Sequence, residues 1–256
     1  MDSFLKCNYH THTMRCKHAQ NTEREYVEAA IEMGIEVLGF ADHIPCPFQT
    51  GYVSPIRMGM DEAEGYVKTI RALAKEYEGQ IRLLVGFEAE YMPEFYEEQM
   101  ALFRDLKMDY MIMGQHWIAS EETEMYEGVP MEDGKRLRRY VDSVIRGMET
   151  GSYAYLAHPD LIHYEGKDPL YEQEMGRLCE AMKEMDIPLE INLLGISQHK
   201  HYPCERFWKI AGEVGNRVIL GLDAHNAAQV KDRAAYAKAM ELVQQYGLDL
   251  IQSLAL

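Results

Sequence analysis

Asn8-Tyr9-His10-Thr11-His12, with His18 six residues further on, decides how the rest of the chain is read. If residues 6–11 form a short buried strand, side chains alternate along it and His10 and His12 point to the same side. Two imidazoles together on one strand face are a natural pair of metal ligands. A lone His-x-His is more often two ordinary polar residues. Here the pattern recurs: every later strand but one ends in another group able to bind a metal.

Seven apolar, β-rich runs read as strands, at residues 6–11, 37–42, 82–89, 110–114, 154–157, 188–193 and 217–223. Amphipathic stretches of helical period lie between them. Thr22-Glu23-Arg24-Glu25 has the form of a capping box and Gly34 that of a stop. Asp61 is the expected cap of a second helix, and Pro93 the start of a third. Four more are expected over 131–149, 169–185, 203–214 and 227–246. Such alternation predicts parallel strands joined by right-handed crossovers.

The strand ends choose between an open sheet and a barrel. The second run ends in Ala41-Asp42-His43, the third in Gly86-Phe87-Glu88-Ala89-Glu90, and the fourth in Gly114-Gln115-His116. The fifth ends in Ala157-His158-Pro159-Asp160 and the seventh in Leu222-Asp223-Ala224-His225. Only the sixth, ending near Asn192, has no obvious ligand. Of the ten histidines, seven sit at or just beyond a strand's C-terminal end. An open sheet gathers its chemistry at one switch point, whereas a barrel collects residues from many strand ends on one face. The expectation is therefore a single α/β domain over residues 1–256, a distorted seven-stranded barrel. The tail 249–256 is expected only to pack back on it.

Composition sets the remaining bounds. With 47% hydrophobic and 27% charged residues, the chain has the make-up of an ordinary globular protein. A formal charge of −16 argues against nucleic acid or an anionic membrane as partner. The sequence has neither an apolar run long enough to span a membrane nor a signal-peptide pattern. Cys7, Cys16, Cys46, Cys179 and Cys204 are odd in number and contain no C-x-x-C pair, which fits reduced thiols in a cytoplasmic protein. Imidazoles with a few carboxylates and no thiolate suit zinc, iron or manganese better than magnesium or calcium.

The ordered series H-x-H, D-H, Glu, His, His and D-x-H resembles the polymerase and histidinol phosphatase (PHP) superfamily, from His10 to about Asn226. The resemblance implies a distorted seven-stranded barrel, three divalent ions and nine ligands. One ion would be held by His10, His12, Glu88 and Asp223. A second would share Glu88 with His116 and His158. A third would use His18, His43 and His225. Ile56-Arg57-Met58, Gly86-Phe87-Glu88, His158-Pro159-Asp160-Leu161-Ile162 and Glu190-Ile191-Asn192 are similar to the histidinol-phosphate phosphatase branch. That branch implies conversion of L-histidinol phosphate and water to L-histidinol and phosphate, within histidine biosynthesis. The chain departs from it at two places. His163 stands where the branch tends to carry a basic residue. Asn192-Leu193-Leu194-Gly195-Ile196-Ser197 stands where it tends to have Asn-Thr-Ser-Gly-Leu-Arg.

Seven neutral imidazoles and two carboxylates cannot cancel three divalent cations, so such a pocket attracts a phosphate dianion. The expected reaction is phosphomonoester hydrolysis by a metal-bridging hydroxide, with Glu88, Asp223 and His225 as catalytic residues. The expected partner is a small phosphorylated substrate. Arg57 and His163 are the expected phosphate contacts, with Lys200 and Arg206 as further loop cations and His199 and His201 as solvated residues. Asp42 and Asp160 can orient ligand imidazoles, and Glu90 has the same role or a solvated one. Rival readings are a phosphodiesterase, nuclease or protein-tyrosine phosphatase of the same superfamily, an amidohydrolase, or a non-catalytic metal-binding module. Against the amidohydrolase, no strand end carries lysine, and His18, His43 and His225 would be surplus to two metals.

Overall fold

The computed structural model describes residues 4–256. Strands β1 (Cys7–Asn8), β2 (Val37–His43), β3 (Arg82–Ala89) and β4 (Tyr110–Met113) form one parallel sheet in that order. A second parallel sheet contains β5 (Leu189–Asn192), β6 (Arg217–Gly221) and β7 (Asp249–Leu250). The helices are α1 (Glu23–Met33), α2 (Ala63–Glu76), α3 (Tyr96–Asp105), α4 (Gly134–Glu149), α5 (Asp168–Glu184), α6 (Leu193–Ser197), α7 (Glu205–Val214) and α8 (Arg233–Tyr246). None among the described residues is long and apolar enough to cross a membrane.

The regular ladders number four and three strands, in place of one ring of seven. The expected fifth strand, residues 154–157, is reduced to isolated bridges from Leu156 to Met113 on one side and to Leu189 on the other. A ladder cannot run on past Ala157: His158 takes a positive φ of 30°, and Pro159 has no N–H to donate. At the other junction Thr11 bridges Ala224, with His12 N donating to Ala224 O at 2.9 Å. β1 is shorter than expected because the buried Asn8 side chain replaces ladder pairing. Its amide donates to His10 O and to Thr11 Oγ1 (3.1 and 2.7 Å), and its oxygen accepts from Leu222 N at 2.9 Å. The tail also differs from expectation, since Asp249–Leu250 adds to β6 as an edge strand.

Local signals set some of the helix ends. Thr22 and Glu25 close the capping box, and Gly34 ends α1 with φ 73°. Asp61 does not cap α2, which begins at Ala63 without a side-chain cap. α3 begins three residues after Pro93. The run 188–193 ends its strand at Asn192, whose side chain accepts from Gly195 N at 2.9 Å and so starts α6.

Strand alternation divides the interior in two. Val85 and Phe87 of β3 join Leu38, Phe40, Met111 and Met113 in the layer beneath the helices. The opposite parity gives a smaller cluster of Tyr9, Ala41, Leu84, Tyr110, Ile112, Tyr155, Ala157 and Ile219. Leu84, Gly86 and Glu88 share that parity, so Glu88 stands at the C-terminal end of the row that this cluster fills. Gly39 and Gly86 leave the space that the Tyr110 ring takes, since a Cβ on either would overlap it.

Candidate metal centre

Glu88 is buried at the end of β3 and surrounded by imidazoles from several elements. Its Oε1 lies 2.8 Å from His158 Nε2 and 3.5 Å from His10 Nε2 and His116 Nε2. Its Oε2 lies 3.0 Å from His43 Nδ1 and 3.5 Å from His12 Nε2. Asp223 Oδ1 sits 3.1 Å from His12 Nε2 and 3.5 Å from His10 Nε2. The outer edge is formed by His18 and His225, whose Nε2 atoms are 2.8 Å apart.

On four of the rings the nitrogen turned away from this cluster has an acceptor that fixes the ring's orientation, whereas the buried His12 Nδ1 and His158 Nδ1 have no hydrogen-bond partner. His10 Nδ1 faces Glu190 Oε2 at 2.9 Å, and His116 Nδ1 faces Glu90 Oε1 at the same distance. His18 Nδ1 faces Cys16 O at 2.6 Å, and His225 Nδ1 faces Asp223 O at 2.9 Å. His12 Nδ1 is 3.5 Å from Asp42 Oδ1, and Asp42 also accepts from Thr13 N and Thr13 Oγ1. Such outer partners fix the tautomer and hold the free nitrogen towards a metal.

Toward the centre, His10 Nε2, His43 Nδ1, Glu88 Oε2 and Asp223 Oδ1 are buried without hydrogen-bond partners. Buried polar atoms left unpaired in one place are costly unless something else binds them. Four sets of three bring a ligand atom each within 4.8 Å of one another: His18/His43/His225, His10/His158/Asp223, His10/His12/Glu88 and His43/Glu88/His116. Their nitrogen and carboxylate donors fit zinc or a similar first-row ion. A fifth set, His12/Cys16/His225, brings in a buried thiol expected from sequence to be an ordinary one.

The field of the cluster sorts its charges. Burial opposes ionisation of Glu88, but His116, His10 and His43 hold its carboxyl well below the usual range. Asp223 is held down in the same way, chiefly by His10 and His12. Burial also opposes charge on His10, yet Glu190, Asp223 and Glu88 outweigh it and raise its pKa. Burial wins at His43, pushed well down, and at His225, pushed to about 3. Glycine makes room at two points, since a Cβ on Gly114 would overlap Glu88 and one on Gly221 would overlap Glu190.

A cavity of about 380 Å³ opens above the cluster. His18, His43, Glu88, His116, His158, Asp223 and His225 line it, while Trp117, Tyr126, Tyr202, Leu194 and Lys200 stand among the other lining residues.

Both expected phosphate contacts lie outside that lining. Arg57 is fully buried, with Nη2 on Glu90 Oε1 (2.7 Å), Nε on Glu121 Oε2 (2.8 Å) and Nη1 on Ile44 O (3.2 Å). Its charge is spent on two carboxylates. Despite the burial that opposes it, Arg57 and His116 hold Glu90 ionised, with a pKa of about 2. His163 stacks on His201, with ring centroids 3.9 Å apart. Arg206 is likewise engaged by Asp168, Tyr164 O and the Tyr171 ring. Asp160 accepts from Cys204 N and Trp208 Nε1, and burial pushes its pKa to about 7.

Sequence reasoning gave no role to Glu190 or Asn192. Asn192 donates to Glu190 Oε1 at 2.9 Å and to Asp223 Oδ2 at 3.0 Å. A signal was available: in Leu189-Glu190-Ile191-Asn192 two polar side chains alternate with apolar ones on a strand buried throughout.

Comparison with known proteins adds three findings. The PHP domain family matches residues 8–194. The chain is 28% identical over 253 residues to a probable histidinol-phosphatase of Deinococcus radiodurans, covering 94% of each. It is also similar in fold to a histidinol phosphate phosphatase of Lactococcus lactis complexed with zinc, L-histidinol and phosphate. That match has a TM-score of 0.75 at 19% identity and covers 98% of this chain and 99% of the other.

Proposed function

The chain belongs to the PHP domain family, and from that premise we propose that it is a metal-dependent phosphatase hydrolysing a small phosphomonoester of the histidinol phosphate type. The observation that carries this reading is the convergence of unpaired, buried His10 Nε2, His43 Nδ1, Glu88 Oε2 and Asp223 Oδ1 beneath an open cavity. The name of the Deinococcus relative, and the zinc, L-histidinol and phosphate bound by the Lactococcus protein, support it.

Three ions are the proposed complement: one on His10, His12, Glu88 and Asp223, one on Glu88, His116 and His158, and one on His18, His43 and His225. His43 lies close enough to Glu88 and His116 to serve the second of these as well. When bound, such ions lower the pKa of water towards roughly 7 and offset negative charge on the phosphoryl oxygens. The chain's own contribution is to hold that site rigid. Glu190, Glu90 and Asp42 orient His10, His116 and His12. Asn192 ties Asp223 to Glu190. Trp117, Tyr126 and Tyr202 form aromatic walls of the cavity, and burial keeps the two tyrosine hydroxyls protonated as hydrogen-bond donors. Arg57 acts through Glu90 on His116.

We read the two sheets and the bridges at Leu156 and Thr11 as one distorted seven-stranded barrel, and the whole chain as one domain. The five free cysteines support a reducing, cytoplasmic setting.

The test is a panel of histidinol phosphate, nucleoside monophosphates and phosphotyrosine, assayed with added zinc, manganese or iron. The expected result is metal-dependent release of phosphate, fastest from histidinol phosphate. Undiminished activity in chelator-treated protein would overturn the metal reading, and silence on every monoester would overturn the phosphatase reading.

A further inference from the structure

We propose that Lys200 is the cation that receives the substrate's phosphoryl group at the cavity wall, an assignment that rests on the phosphatase reading above. Among the residues lining the cavity it is the lysine or arginine present. The other cations named from sequence are engaged elsewhere: Arg57 by Glu90 and Glu121, and Arg206 by Asp168 and Tyr164. Lys200 forms no ion pair among the described residues. Its Nζ donates to Tyr202 Oη at 3.3 Å and lies 5.6 Å from the centre of that ring. An ammonium has three N–H groups, so donors remain for an anion in the cavity.

Its placement is built into the loop. Lys200 N donates to Gly195 O at 2.9 Å, and a Cβ on Gly195 would overlap Tyr202 O, so α6 and the returning chain approach as closely as glycine permits. His201 Nε2 faces Leu161 O at 2.6 Å, and Cys204 N donates to Asp160, which pins the far side of the loop. Asn192 caps α6 and also donates to Asp223 Oδ2. The segment presenting Lys200 is thus fixed to the same carboxylate that faces His10 and His12. The Tyr202 ring, beneath the ammonium, lies 6.0 Å from the His158 ring. A dianion seated on the cluster and reaching this wall meets a positioned, unpaired positive charge. A lysine at the mouth can fill that role, because its long, flexible stem carries the ammonium to the anion.

The experiment compares zinc-supplemented wild type, Lys200→Met and Lys200→Arg in three measurements. These are KM and kcat on the best monoester of the panel, the inhibition constant of inorganic phosphate, and the rise in Tm that inorganic phosphate produces. Lys200→Met is expected to raise KM and the phosphate inhibition constant together by roughly five- to tenfold, the range between a surface ion pair and a charged hydrogen bond. It should also reduce the phosphate-induced rise in Tm, leave zinc content unchanged, and be largely corrected by arginine. A KM that rises while phosphate inhibition stays constant would place Lys200 on the leaving group and overturn the proposal, as would no change in either. If wild type cleaves no monoester, the phosphatase reading fails by itself. The Tm shift then decides Lys200 alone: loss of the shift in Lys200→Met supports the contact, and its persistence, or its absence in wild type, overturns it.

Discussion

Glu190→Gln is a nearly isosteric change at a fully buried position, and it separates metal support from packing. In wild type Glu190 Oε2 and Oε1 face His10 Nδ1 at 2.9 and 3.1 Å, while Oε1 also accepts from Asn192 Nδ2 at 2.9 Å. Both neighbours are donors, because the Asn192 oxygen is already used by Gly195 N. An amide offers one acceptor and one donor, so one of the two contacts must become donor against donor. If the amide oxygen stays on His10, the imidazole keeps its tautomer but loses the negative charge that makes Nε2 a stronger ligand. If it turns to Asn192, it stays within 3.1 Å of His10 Nδ1 but sets the amide nitrogen against that N–H, so His10 keeps only a weakened, uncharged partner. Either way the loss falls on one ligand of a site that other residues complete, and outer carboxylates of this kind are worth roughly 10–100-fold in metal affinity. That equals about 1.4–2.7 kcal/mol of zinc binding. The assay is competition between the protein and a chromogenic chelator for zinc, followed by kinetics at saturating zinc. The variant should bind zinc more weakly while its KM changes little once the metal is restored. Zinc affinity within about twofold of wild type would refute the argument that Glu190 acts by orienting and polarising His10.

Three other outcomes follow from the same geometry. Arg57→Met leaves Glu90 and Glu121 buried without their cation, so denaturant unfolding should show a loss of about 3–5 kcal/mol, with KM for the monoester unchanged at full metal loading; a raised KM at unchanged stability would return Arg57 to the substrate. Gly114→Ala puts a Cβ into Glu88, so metal content and kcat should both collapse while the strain costs about 1–3 kcal/mol in an unfolding titration; retained activity would mean that Glu88 does not need its present position. Removing metal by chelation should lower the Tm by roughly 5–10 °C, the size expected when a ligand at about a hundred times its Kd is withdrawn, and zinc should restore it in calorimetry; an unchanged Tm would show that no ion stabilises the fold.

Much of the ligand row was legible in the sequence because the strand period of two runs through it. His10 and His12 are spaced by two, which keeps the pair on one side of an extended chain, and Glu88 follows Leu84 and Gly86 on the inward parity of β3; Asp223 and His225 have the same spacing, but Asp223 lies past β6 with φ 49°, so there the turn of the backbone and not strand alternation aims the pair. A residue's own spacing carries that information. The strand ends were less legible, because they depend on atoms distant in sequence or on single backbone angles. Asn8 reaches Leu222 N, 214 residues away, and shortens β1; a positive φ at His158 stops the fifth run at a bridge. Least legible were the partners of charges. Arg57 lies in a loop and Glu90 just past a strand, and each by itself reads as solvated or as available to a substrate. In the fold they meet 33 residues apart, with Glu121 a further 31 along. Neither charge would be stable there without the other, so the burial of one is explained only by the presence of its partner. A sequence states how costly a side chain is to bury, but the compensation lies in pairings the fold creates. Arg57, engaged on both sides by carboxylates, is thereby tied to His116 through Glu90, whereas Lys200, the cation proposed for the cavity, has no ion-pair partner among the described residues.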